Sequence, residues 1–110
     1  MHCPTLEENV ENVVGLENLP VILSCIPPAD IKNLEVRVGK DQRKIYSNKR
    51  ILPPYAEIFS FKVDGRWHNL TLKNLTSEYA GLYEWFNASG AVCRHNVTIN
   101  TGNSDRVLNF

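Results

Sequence analysis

No window of this chain keeps apolar residues at i, i+3, i+4 and i+7 for three turns, while Gly, Pro, Asn and Asp cluster between short runs rich in Val, Ile, Leu, Phe and Tyr. That pattern excludes a helical body and predicts an all-β chain. The runs place strands over residues 12–16, 21–26, 34–38, 44–47, 57–63, 69–73, 81–86 and 92–100. Eight short strands separated by turn signals predict a two-sheet antiparallel sandwich. With 110 residues, 43% of them hydrophobic, the chain builds one domain around one modest core.

Side chains alternate across a pleated strand, so each run assigns its own inner face. Val21, Leu23 and Cys25 share a face, as do Val36 and Val38, Leu70 and Leu72, Tyr83 and Trp85, and Val97 and Ile99. Their opposites are Glu35 and Arg37, Asn69 and Thr71, Leu82 and Glu84, and Asn96 and Thr98, which are nearly all polar. The first set predicts the core and the second the solvated faces. Pro27 and Pro28 have no amide hydrogen for a ladder, so residues 27–30 are expected to be a loop. Residues 1–100 are expected to form the domain and 101–110 a linker or tail.

Several function classes fall away. Twelve Lys and Arg cancel twelve Asp and Glu, which gives no electrostatic case for nucleic acid. The distribution is uneven: residues 1–31 carry only acidic charges, while residues 32–50 are strongly basic, which fits either a solvated loop and strand or a patch for an acidic partner. The apolar stretch 19–29 is broken by prolines and too short to span a bilayer. Met1 precedes no basic and apolar signal pattern, so export implies a leader already removed. Cys93 and His95 share a strand face, but no orienting carboxylate or oxyanion turn accompanies them, and no catalytic motif is present. His2, His68 and His95 lack metal-ligand spacing, so neither a metal nor another cofactor is expected.

Four sequons point to an oxidising, extracellular setting: Asn69-Leu70-Thr71, Asn74-Leu75-Thr76, Asn87-Ala88-Ser89 and Asn96-Val97-Thr98. Three cysteines, Cys3, Cys25 and Cys93, fit that compartment if two pair and one is left over.

The stretch from Leu70 to Trp85, with Gly81 and Tyr83, resembles the E strand, turn and F strand of immunoglobulin superfamily domains, whose pattern is L-x-I/L, a short turn, then D-x-G-x-Y-x-C. The resemblance implies a V-like sandwich in which Tyr83 forms the tyrosine corner and Cys25 is the B-strand cysteine. Three departures follow. Tyr79 replaces the usual Asp, Trp85 stands where the second core cysteine belongs, and Val36 or Val38 takes the place of the C-strand tryptophan. Trp85 is therefore expected to plug the core in place of the B-to-F bridge, with Cys25 as a buried thiol; an exposed Trp85 anchor is the alternative. In such sandwiches the A′ strand runs parallel beside G, which implies a Cys3–Cys93 bridge, with Cys25–Cys93 as the competing pairing. The first of these is similar to the arrangement in the first domain of interleukin-1 receptors.

Two narrower resemblances concern function. The run Asn69 to Thr76 followed by Gly81 and Tyr83 is similar to Ig-like immune-evasion glycoproteins of herpesviruses and adenoviruses, while SLAM-family membrane-distal domains also dispense with the central disulfide. Both imply an extracellular module that binds an immune-cell surface protein, with self-association as a further possibility and an Ig-like spacer as the alternative. The expected binding face is the sheet of strands G, F, C and C′, with Glu35, Arg37, Lys44, Tyr46, Glu84, Phe86 and Arg94 pointing outward. A sequon at Asn96 lies on that same side.

Overall fold

The computed structural model describes residues 10–27, 33–88 and 90–100. Within them the chain forms β1 (Val10–Leu16), β2 (Val21–Cys25), β3 (Glu35–Val38), β4 (Arg43–Ser47), β5 (Arg50–Ile51), β6 (Phe59–Asp64), β7 (Trp67–Leu72), β8 (Gly81–Asn87) and β9 (Gly90–Asn100). They build two sheets, one ordered β1-β9-β8-β3-β4-β5 and the other β2-β7-β6. The first and last strands pair in parallel, with Val10 beside Arg94 and Leu16 beside Asn100. The remaining strand pairs are antiparallel. The predicted two-sheet sandwich is therefore the observed one. Residues 101–110, expected as a tail, lie outside the described residues, as do residues 28–30 of the proline loop and Cys3.

The inner faces follow the alternation of the sequence. Val21, Leu23, Cys25, Val36, Val38, Leu70, Leu72, Tyr83, Trp85 and Val97 are all buried, and Ile99 packs against them. Four aromatic rings extend this core at one end: Phe59 meets Tyr79 and Tyr83 edge-on at 5.5 and 6.1 Å, and Tyr55 meets both Phe59 and Tyr79. Edge-to-face contacts of this kind add to the area that the rings bury. The Tyr83 hydroxyl donates to the carbonyl oxygen of Tyr79 at 2.5 Å, which is the tyrosine corner. Burial pushes the Tyr83 phenol up, so it stays a donor at any ordinary pH. At Gly15 a Cβ would sit 2.7 Å from Leu75 Cδ2 and 2.8 Å from Val21 Cγ2, so the missing side chain lets β1 close over the core.

The cysteine expectation is corrected. Cys93 is bonded to Cys25, with Cα atoms 6.2 Å apart, and so cannot join Cys3; nor is Cys25 a free thiol. Sheet register gives the physical reason. Trp85 does occupy the F-strand position, but Cys93 stands directly opposite it on β9 and faces the same interior. Compared with the usual bridge of immunoglobulin domains, this one ends one strand over, on β9 and not on β8, and still joins the two sheets. The ordinary B-to-F bridge is absent, as expected. The Trp85 core plug also holds: the residue is fully buried, flanked in its sheet by Val36 on one side and Cys93 on the other.

The Tyr46 expectation is corrected as well. Strict alternation from Lys44 would turn Tyr46 outward, but the register slips between Val36 and Arg37, which face Tyr46 and Lys44 respectively. This bulge puts Ile45, Tyr46 and Ser47 successively into buried positions. Tyr46 is 5% exposed and stacks on Phe61 at 3.9 Å. The short β5 was not expected either. It returns from β4 through a two-residue turn in which Asn48 and Lys49 both have positive φ, 55° and 67°. That geometry suits Asn but is costly for Lys.

Candidate functional site

The outward side of the six-stranded sheet brings most of the expected binding residues together. One register row runs Lys44, Arg37, Glu84 and Arg94 across β4, β3, β8 and β9. The next pairs Glu35 with Phe86. Pleat geometry holds these side chains on one face, and their ion pairs fix them to one another. Arg94 Nε donates to Glu84 Oε2 at 2.9 Å, and Gln42 Nε2 donates to Glu84 Oε1 at 2.9 Å. Arg37 donates to Glu35 Oε1 at 2.9 Å, while Lys44 Nζ lies 3.5 Å from Glu35 Oε2. The Arg37 guanidinium also lies over the Phe86 ring, 4.8 Å from its centroid. Phe86 thus forms a half-buried apolar centre capped by a cation.

Both carboxylates feel this surrounding. Burial pushes the Glu35 and Glu84 carboxyls up, but hydrogen bonds and charge from Arg37 and Lys44 for the first, and from Gln42, Arg94 and Arg37 for the second, bring them below the ordinary value. At neutral pH both are ionised and the row carries its full complement of charge. Another residue of the basic run is paired within the molecule in the same way. Arg43, on the end of β4, donates to the Glu78 carbonyl at 2.9 Å and lies 5.2 Å from the Tyr79 ring centroid. At the position where immunoglobulin domains carry an Asp, Tyr79 therefore still meets an arginine, through its ring.

The sequon residues are dispersed. Asn74 is exposed in the turn after β7, and Asn69 is half-buried on the outward side of the smaller sheet. Asn96 lies on the binding-face side but toward β1, where its amide points to Asn12 Oδ1 at 3.5 Å. Asn87 turns inward at the end of β8 and is buried, so the folded domain does not present its amide to solvent. The partner Ser89 of that sequon lies outside the described residues.

Sequence reasoning missed one buried polar link. Trp85 Nε1 donates to His95 Nδ1 at 3.2 Å, which leaves the His95 proton on Nε2, 3.2 Å from the Ser24 carbonyl oxygen and 3.2 Å from Glu11 Oε1. Burial lowers the His95 pKa, against the pull of Glu11 and Ser24. The signal was available in the sequence: His95 shares the inward parity of Cys93 and Val97. With Cys93 bridged, the Cys93 and His95 pair offers no nucleophile. Among the described residues, no cluster of His, Cys, Asp and Glu suits a metal ion, and no helix is long and apolar enough to cross a membrane.

No family model and no curated protein sequence matches the chain. Solved structures do. Dpr11 IG1, bound to DIP-gamma, is similar with a TM-score of 0.71 at 15% identity, over 82% of this chain and 98% of that one. The ZIG-8 IG1 homodimer gives a TM-score of 0.65 at 18% identity over 84% and 79%. A tandem from titin gives 0.62 at 18% identity, over 83% of this chain and 30% of that one. Strand order, tyrosine corner and these likenesses agree: the molecule has the immunoglobulin-like sandwich fold, in a V-like form whose intersheet bridge reaches the last strand.

Proposed function

We propose that this domain is an extracellular recognition module that docks a protein partner on the outward face of β3, β4 and β8, with Arg37, Phe86 and Glu84 at its centre and Glu35, Lys44 and Arg94 around them. The observation that carries the proposal is the Arg37 guanidinium seated on Phe86 within a row of charges already locked in place. Fixed charges steer encounter and set register, and a pre-ordered Arg and aromatic pair loses little entropy on binding. Support also comes from the similar folds, which were solved as the Dpr11 complex with DIP-gamma, the ZIG-8 homodimer and the ZIG-8 and RIG-5 heterodimer. A glycan on Asn96 would cover the β1 and β9 side, leaving the β3 and β4 half as the docking area.

The sequence resemblance narrows the partner to an immune-cell surface protein, engaged either by a viral immune-evasion glycoprotein or by a SLAM-like adhesion receptor. The test is a binding screen of the glycosylated domain against leukocyte surface proteins and against itself, at rising salt. Arg37→Glu and Glu84→Arg should each weaken the captured partner about tenfold or more, with affinity falling as salt rises. A domain that binds neither any such protein nor itself is a spacer, and the proposal then fails.

A further inference from the structure

The smaller sheet leaves an apolar surface that the proposed docking face does not use. On its outward side Trp67 is 50% exposed and Ile22 is 62% exposed. Together with Ser24, Asn69, Asp64 and Glu11 they line a hollow of about 420 Å³. Trp67, Asn69 and Thr71 are alternate residues of β7 and so share this side, with Ile22 directly across from Thr71 and Ser24 directly across from Asn69. A half-exposed indole thus stands beside the acceptor of the sequon Asn69-Leu70-Thr71.

We propose that Asn69 carries an N-linked glycan whose first N-acetylglucosamine lies in this hollow, its apolar ring face on Trp67 and Ile22. The inference rests on the reading of the chain as an extracellular glycoprotein. The hydrogen bonding at Asn69 is arranged for it. Ser24 Oγ donates to Asn69 Oδ1 at 2.5 Å, which turns the amide so that Nδ2, the atom that N-glycosylation uses, is not taken by that bond. In the modification Nδ2 bonds to C1 of the sugar and loses one proton, while the lipid diphosphate of the donor leaves with the C1–O electron pair. Oδ1 stays a carbonyl oxygen, so the Ser24 bond survives. Asp64 and Glu11 supply acceptors for sugar hydroxyls at the walls of the hollow. The sugar would remove Trp67 and Ile22 from water, and the domain would be stabilised by that burial.

The test is expression of the full chain behind a cleavable leader in secretory cells, followed by trimming to a single N-acetylglucosamine. Glycopeptide mass spectrometry reads occupancy, and thermal unfolding compares wild type, Thr71→Val, which removes the sequon but keeps Asn69 and its Ser24 bond, Trp67→Ser and the double variant. The expected result is an occupied Asn69, a Tm lower by about 4 °C or more in Thr71→Val, and no further loss when Thr71→Val is added to Trp67→Ser. A nuclear Overhauser contact between the sugar and the Trp67 indole should accompany it. Occupancy of Asn74 or Asn96 with Asn69 bare overturns this proposal and leaves the glycoprotein reading standing. Additive Tm changes without an indole contact overturn it too, and a chain bare at every sequon overturns both.

Discussion

Trp85 and Cys93 face one another across the β8 and β9 ladder, so the indole that stands where immunoglobulin domains carry a core cysteine and the cysteine that forms the intersheet bridge here are neighbours in one row. The row continues through Val36 to Tyr46. Keeping the intersheet bridge while adding an indole works because Val36, small and fully buried, stands on the other side of Trp85. The swap conserves the filled volume of the middle of the sandwich.

Bridge and indole should therefore both be structural. Peptide mapping without reduction should recover Cys25 linked to Cys93. Because the bridge spans 68 residues, Cys25→Ala with Cys93→Ala should cost about 4 kcal/mol in urea unfolding. Trp85→Ala should cost about 3–5 kcal/mol and Trp85→Phe less, with His95 then losing its donor. A bridge from Cys93 to any other cysteine would refute the arrangement.

Acid should destabilise the domain in two limbs. His95 is held neutral in the fold with its pKa below the ordinary 6.5, so the unfolded chain binds more protons once pH drops beneath that value. Stability is thus full above about pH 6.5 and falls until pH passes the lowered folded value. Glu35 and Glu84, lowered in the fold, add a second loss as pH falls below the ordinary 4.5. The urea midpoint should fall from pH 7 to pH 5 in the wild type, and His95→Gln should flatten that first limb alone. A wild-type midpoint that is constant over this range would show that His95 ionises equally well when folded.

The turn between β4 and β5 carries an avoidable cost at Lys49, whose φ is 67°. Lys49→Gly should stabilise the domain by about 0.5–1 kcal/mol, whereas Lys62→Gly, within strand β6, should destabilise it by a similar amount. Equilibrium urea unfolding of the two variants checks the opposite signs.

Much of the fold was legible in the chain because one face of each strand meets the core and the other meets water. That contrast writes a period of two into Val21, Leu23 and Cys25 or Tyr83 and Trp85, and it located their strands to within a few residues. Tyr46 escaped it because a bulge adds one residue to β4, and an inserted residue reverses the parity of everything beyond it. β5 escaped because two residues are too few to show a period, and its turn has Asn-Lys where Asn-Gly would have signalled a hairpin. Cysteine pairing escaped because it depends on which strands lie opposite across the core, a relation between β2 and β9 that no local pattern records. The charged row of Arg37, Glu84 and Arg94 was readable as outward-facing, but its mutual pairing depends on register.

The parallel pairing of β1 with β9 has a mechanical consequence. Residues 10 and 100 lie at opposite ends of that seven-pair ladder, roughly 20 Å apart along the strands. A pull between them loads all the rungs in shear at once and does not unzip them singly. If the ladder gives way, extension halts at the Cys25–Cys93 link, because the 68-residue span it closes cannot pay out. Tension on this domain would thus lengthen it by only a short, fixed step, with strands β3, β4 and β8, which bear the proposed docking face, still held inside the closed loop.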